Sequence, residues 1–190
     1  MNKNEVQTMS ISALLCAIGI IIPMFAPKIL IPPASYTLAS HVPVFIAMFI
    51  SPVVAIFVAL ITGFGFLFAG FPLVIVLRAL THVIFAGIGA YFLKKNKNLL
   101  QKQNSSIVFA FIISLVHAIC EVIVVTIFYW GNNVTDIYYQ KGYLVTVVGL
   151  VGVGTLIHSM IDFGIAIMVW KPIQRIVTIP VSVRLKTKRS

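Results

Sequence analysis

Apolar residues in this chain come in long unbroken runs, separated by short breaks rich in proline, glycine, lysine or asparagine. The runs predict helices over about 8–26, 37–50, 52–68, 71–93, 107–130 and 143–170. Several of them exceed the roughly 18–20 residues that a helix needs to cross a bilayer. A membrane β-barrel would alternate apolar and polar positions in short segments, and these runs do not alternate. The pattern therefore predicts an all-α membrane protein of six transmembrane helices, one domain over 1–190, with no linker and no second unit.

The breaks have distinct characters. Residues 27–41, PKILIPPASYTLASH, hold Pro27, Pro32 and Pro33, which forbid a continuous helix and predict a structured loop. Ser51-Pro52 and Ala69-Gly70-Phe71-Pro72 read as tight turns, whereas 94–106 and 131–142 are polar loops. Gly149, Gly152 and Gly154 in the last run invite close packing or a local break. Ala13 and Ala17 form a small-xxx-small pair on the first helix, a spacing that lets another helix approach closely. The first run lacks an A-x-A-type cleavage site and leads straight into further spans, so it reads as a retained helix.

Composition agrees with the pattern: 60% of the 190 residues are hydrophobic and only 9% are charged, against about a quarter in soluble domains. The net charge of +10 would suggest nucleic acid in a soluble protein, but its distribution points to a membrane face. Lys3, the four lysines Lys94, Lys95, Lys97 and Lys102, and six residues from Lys171 to Arg189 fall on one side of a six-helix topology. Lys28 and Lys141 fall on the other. The positive-inside rule then puts both termini in the cytoplasm. Cys16 and Cys120 lie in separate spans without a CxxC pair and read as small apolar filler.

The candidate chemistry lies in the polar residues that interrupt the spans. Arg78 and His82 are four residues apart on the fourth helix and share a face; His117 with Glu121, and His158 with Asp162, repeat the spacing on the fifth and sixth. An arginine in hydrocarbon costs several kcal/mol unless it faces a protein interior. At about 1.5 Å of rise per residue, Arg78 and Glu121 come to comparable depth, as do His82 and His117, in the outer half of the bundle. Two explanations stand. Arg78 and Glu121 form a buried pair that joins two helices, or the three faces converge on a ligand pocket open to the outside. His158 with Asp162 also suits a packing hydrogen bond, and His41 a helix end or a ligand contact.

A metal centre is a further alternative, since His82, His117, His158, Glu121 and Asp162 are all possible ligands. The H-E-x-x-H pattern is absent, however, and Arg78 would repel a cation. No metal or other cofactor is therefore assigned. There is no G-x-S-x-G elbow and no G-x-x-x-x-G-K-[ST] loop, so neither hydrolase chemistry nor ATP hydrolysis through a P-loop is expected of this chain.

Six short-looped helices with Ala13-x3-Ala17 on the first resemble the substrate-binding S component of energy-coupling factor (ECF) transporters. The stretches YTLASHVPVFIAMFISPVVAIFVALITGFGFLFA, from Tyr36, and GFPLVIVLRALTHVIFAGIGA, from Gly70, are similar to the niacin-specific S component. The resemblance implies a non-enzymatic vitamin-binding subunit in the bacterial plasma membrane. It would dock on a membrane T subunit through Ala13 and Ala17, and two cytoplasmic ATPases would drive it. It further implies a lid over Pro27 to Ser40. Niacin suits the residues: Arg78 for its carboxylate, His82 or His117 for hydrogen bonds, and Tyr36, Phe45 or Phe64 for ring stacking. His41, Glu121 and His158 complete the expected site. The alternatives are another vitamin (pantothenate, folate, a thiamine precursor) or a metal-binding membrane carrier or enzyme.

Overall fold

The computed structural model describes residues 2–32, 34–176 and 178–185. Pro33 of the proline-rich loop and Lys186, Lys188 and Arg189 of the basic tail lie outside the described residues. The fold is a helical bundle carrying one small β-hairpin.

Helix α1, Lys3–Phe25, begins earlier than the apolar pattern because Asn2 and Glu5 form a capping box. The Asn2 side chain accepts from the Glu5 amide at 2.9 Å, and Glu5 accepts from the Asn2 amide at 2.9 Å. Pro27 follows its end. The proline-rich segment then pairs with itself as an antiparallel hairpin, β1 Lys28–Ile31 and β2 Ala34–Thr37, with Lys28 opposite Thr37 and Ile29 opposite Tyr36. The segment expected as a loop is therefore a hairpin. Thr37 ends the hairpin and 38–41 form a turn, so the second helix, α2, spans only Val42–Ile50.

All nine residues of α2 are buried, and at 1.5 Å per residue it is only ~13 Å long. A half-length helix sealed inside a bundle leaves carbonyls with no lipid-facing escape, and each orphan must find a donor. The C-terminal segment supplies them. The Ser182 amide donates to the Phe49 and Ile50 carbonyls at 3.0 Å, and the Val183 amide to Phe49 at 3.1 Å. That strand of chain is held by Trp170 and Gln174: the Trp170 indole donates to the Val183 carbonyl, and Gln174 bonds both the amide and the carbonyl of Leu185.

Ser51 ends α2 and caps α3, Pro52–Phe68, by accepting from the Val54 amide. Helix α4 is Leu73–Lys95 and α5 is Gln103–Trp130. A one-and-a-half-turn α6, Asp136–Lys141, interrupts the loop expected at 131–142. The last span opens as a ten-residue π-helix, Leu144–Val153, and continues as α7, Gly154–Ile176. The glycines at 149, 152 and 154 fall in that wide segment or at its end.

Among the described residues, α1, α4, α5 and the combined Leu144–Ile176 span are long and apolar enough to cross a membrane; α3, at 17 residues, is shorter. Large apolar side chains such as Phe25, Val53, Phe68 and Leu144 stand outward, more than 70% exposed, as lipid-facing positions do. Inside, Phe45, Phe49, Phe85, Phe163 and Trp170 pack through ring contacts of 5.2–5.9 Å between neighbours. This aromatic core lies against α2 and floors the polar centre described below. The amino-terminal turn, the 96–102 loop and the carboxy-terminal segment meet at one end of the bundle, where Thr178 donates to Gln7 and Gln101 to the Arg184 carbonyl.

Close packing of α3 on α4 depends on Gly63. A Cβ there would come within 2.5 Å of the Leu80 Cδ2 and 3.3 Å of its amide nitrogen. Gly63→Ala is expected to destabilise the bundle by about 1–3 kcal/mol through overpacking, measured as a lower midpoint in detergent thermal unfolding.

Candidate functional site

Arg78 and His82 on α4, His117 and Glu121 on α5, and Thr155, His158 and Asp162 on α7 converge beneath the hairpin, with His41 entering at the start of α2. Of these, Arg78, His82, Glu121, Thr155, His158 and His41 border a cavity of about 150 Å³, lined in addition by Lys28, Tyr36, Ser40, Thr62, Phe66 and Phe71, whereas His117 and Asp162 are fully buried behind its wall. That is well below the roughly 300 Å³ and upward of pockets for drug-sized ligands, so it suits a one-ring molecule.

Glu121, 4% exposed, stands at the centre. Its Oε2 accepts from Arg78 Nη2 at 2.7 Å and from the Thr155 hydroxyl at 2.6 Å, joining α4, α5 and α7. Its Oε1 lies 3.4 Å from His117 Nε2 and 3.9 Å from His82 Nε2, without the alignment of a hydrogen bond. The Arg78–Glu121 pair expected from matching depths is thus present, and Glu121 faces His117 as well. Arg78 uses only part of its donor fork, and its buried Nε finds no partner among the described residues.

Asp162, wholly buried, accepts on Oδ1 from the Ala39 amide at 2.8 Å. Its Oδ2 accepts from the His41 amide and meets His41 Nδ1, both at 2.9 Å. His158, one turn earlier, is 3.4 Å from the same oxygen, and its Nε2 is 3.1 Å from the Ser40 hydroxyl. Asp162 therefore does more than join helices. It anchors the base of the hairpin, including Ala39, whose φ of 66° lies in the left-handed region that a non-glycine residue adopts only when held there.

His41 becomes the hub of the histidines. Its ring meets those of His82, His117 and His158 edge-on, at centroid distances of 5.0, 4.7 and 5.0 Å. Tyr36 sits at the mouth, and its hydroxyl donates to the Leu150 carbonyl in the π segment. Burial pushes the Tyr36 phenol above its ordinary value, which keeps it a neutral donor. Gly154 makes room for it, since a Cβ there would overlap the Tyr36 ring and hydroxyl.

The aromatic expectation needs correction. Phe64 is 46% exposed and does not line the cavity, and Phe45 is sealed in the core below it. The aromatic wall is Phe66 with Phe71, stacked at 4.7 Å and 25°. Helical phase is the reason: Phe66 lies four residues beyond Thr62, on the face of α3 turned to α4. Thr155 was legible as the next position of the His158–Asp162 stripe, one turn back, but a threonine alone carries no signal. Ala13 and Ala17 are both exposed on the outer side of α1, away from the cavity.

Among proteins of known function, the chain is similar to the Niacin transporter NiaX of Lactococcus lactis subsp. cremoris. The two are 42% identical over 166 residues, which cover 87% of this chain and 73% of the relative. This chain belongs to the niacin-transporter family. No family model and no solved structure matches it significantly. Membership fits a multi-pass membrane protein that handles a small molecule. In this member of the niacin-transporter family, the polar residues within the spans form one connected cluster against the cavity instead of being spread as separate helix pairs.

Asp162→Ala removes the acceptor of three donors at the hairpin base and is expected to loosen residues 28–41 by about 2–4 kcal/mol. Amide hydrogen exchange would show it as faster exchange confined first to Ala39, His41 and the hairpin.

Proposed function

We propose that this chain is the substrate-binding S component of an ECF importer and that it captures nicotinate in the cavity between α4, α5, α7 and the hairpin. The observation that carries the reading is Arg78: a membrane-embedded guanidinium, bonded to Glu121 through one nitrogen, with donors left over beside a one-ring cavity. A carboxylate is the group those donors fit, through charge-assisted hydrogen bonds. Family membership supplies the substrate, because the relative is a niacin transporter. The ring of the vitamin lies against Phe66, Phe71 and Tyr36, and one of the cavity-lining histidines, His82, His41 or His158, takes its pyridine nitrogen, with His117 packed behind them. Glu121 and Thr155 hold Arg78 in place until the ligand arrives.

The hairpin at 28–37, with its base latched to Asp162, serves as the lid. Transport requires partners, a membrane T subunit and two cytoplasmic ATPases, and the exposed Ala13 and Ala17 face of α1 is where the T subunit packs. Six crossings put both termini in the cytoplasm, with the short α2 making the second. The end of the bundle where the amino-terminal turn, the 96–102 loop and the segment up to Leu185 meet supports this orientation, because Lys97, Lys102 and Arg184 lie in the segments gathered there.

Titration of the purified chain with nicotinate should show tight binding, with nicotinamide weaker because it lacks the charge. Arg78→Ala is expected to lose about 2–5 kcal/mol of nicotinate affinity and to bind acid and amide alike. Unchanged acid binding in that variant would remove Arg78 from the site. For the topology, single cysteines at Asn98 and Asn133, in a background lacking Cys16 and Cys120, should react with an impermeant thiol reagent from opposite sides. Only Asn133→Cys should label in intact cells.

A further inference from the structure

We propose that His41, His82 and His117, with Glu121 beside them, form a binding site for one first-row divalent transition-metal ion just behind the cavity wall, where His41 and His82 border the cavity and His117 is buried beyond them. One ring nitrogen from each histidine lies within 4.8 Å of the other two. On a tetrahedral ion with metal–nitrogen bonds near 2.0 Å, ligand nitrogens stand about 3.3 Å apart, so small ring rotations close the set. His82 is 7% exposed and His117 fully buried, yet the Nε2 atoms of both find no hydrogen-bond partner among the described residues. A buried polar atom without a partner is costly. One pyridine nitrogen could satisfy one of these rings, whereas a cation accepts lone pairs from all three at once.

The surroundings are those of metal-bound imidazoles. Asp162 Oδ2 meets His41 Nδ1 at 2.9 Å, which turns the other ring nitrogen of His41 towards its neighbours. Ser159 Oγ stands 3.3 Å from His117 Nδ1 and plays the same part there. Glu121 gives its Oε2 to Arg78 and Thr155, leaving Oε1, 3.4 Å from His117 Nε2, as a fourth donor. Imidazole and carboxylate donors suit zinc, cobalt or nickel better than magnesium or calcium.

Charge argues the same way. Among the described residues inside the bundle, Arg78 meets Glu121, the second carboxylate, Asp162, meets only histidines, Ser40 and backbone amides, and Lys28 is exposed at the rim. With neutral imidazoles the buried set carries one net negative charge, the wrong sign for an anionic ligand. A divalent ion reverses it. That last consequence rests on the nicotinate reading, but the ion site itself does not.

The test uses the tag-free full chain in zwitterionic lipid nanodiscs, stripped with chelator and titrated with Co²⁺ alone, without vitamin. One cobalt per chain with visible d–d absorption is expected. His82→Gln and His117→Gln should weaken it at least ~100-fold and Asp162→Asn about 10–100-fold, as loss of an orienting partner does. Wild-type protein that takes up no stoichiometric cobalt overturns the proposal whatever the variants do. So does cobalt that survives His82→Gln but is lost in His158→Ala, which would move the ion to the His41–His158–Asp162 group. Because no vitamin is present, these outcomes are independent of whether nicotinate is the substrate.

Discussion

A carboxylate inside a lipid-embedded bundle must be met by donors, and the bond from Arg78 to Glu121 is the one on which the polar centre depends. Each partner alone would be an uncompensated charge in hydrocarbon, costing several kcal/mol. Together, and with Thr155 donating to the same oxygen, they bind α4, α5 and α7 at one depth. The pair joins helices and shapes the cavity at the same time. The helix-joining pair and the polar cavity, which the spacing of residues left as alternatives, are therefore both built on one contact.

The second carboxylate does for the hairpin what the first does for the helices. Asp162 collects the amides of Ala39 and His41 together with the His41 ring. The start of α2 is thereby fixed inside the bundle instead of at the bilayer surface. That placement shortens α2 to nine buried residues, and its inner carbonyls are met by Ser182 and Val183. A polar anchor at one end and a borrowed strand of chain at the other let a half-length helix exist where lipid would otherwise face open backbone groups.

Much of this could be read from the residues in order. Continuous apolar runs declare a helical membrane protein, because hydrocarbon tolerates little else. The i,i+4 pairs Arg78–His82, His117–Glu121 and His158–Asp162 declare which faces turn inward, because burying charge singly is too expensive. Other features were not legible. The hairpin at 28–37 arises from proline chemistry and cross-strand pairing, which no apolar period reports. The π segment at Leu144–Val153 lies within a run as apolar as any other, and only its glycines hint at a change.

What the sequence by itself determined is the helical membrane class and the identity of the polar residues that must find one another, since each follows from local hydropathy and helical period. Tertiary structure alone decided their partners: that His41 is the hub of four histidines, that Asp162 serves the hairpin, and that Phe66 and Phe71 form the aromatic wall while Phe64 faces outward. The physical reason is that hydropathy and period set which face of a helix is polar, whereas the rotation and depth at which helices meet are set by packing between segments far apart in the chain.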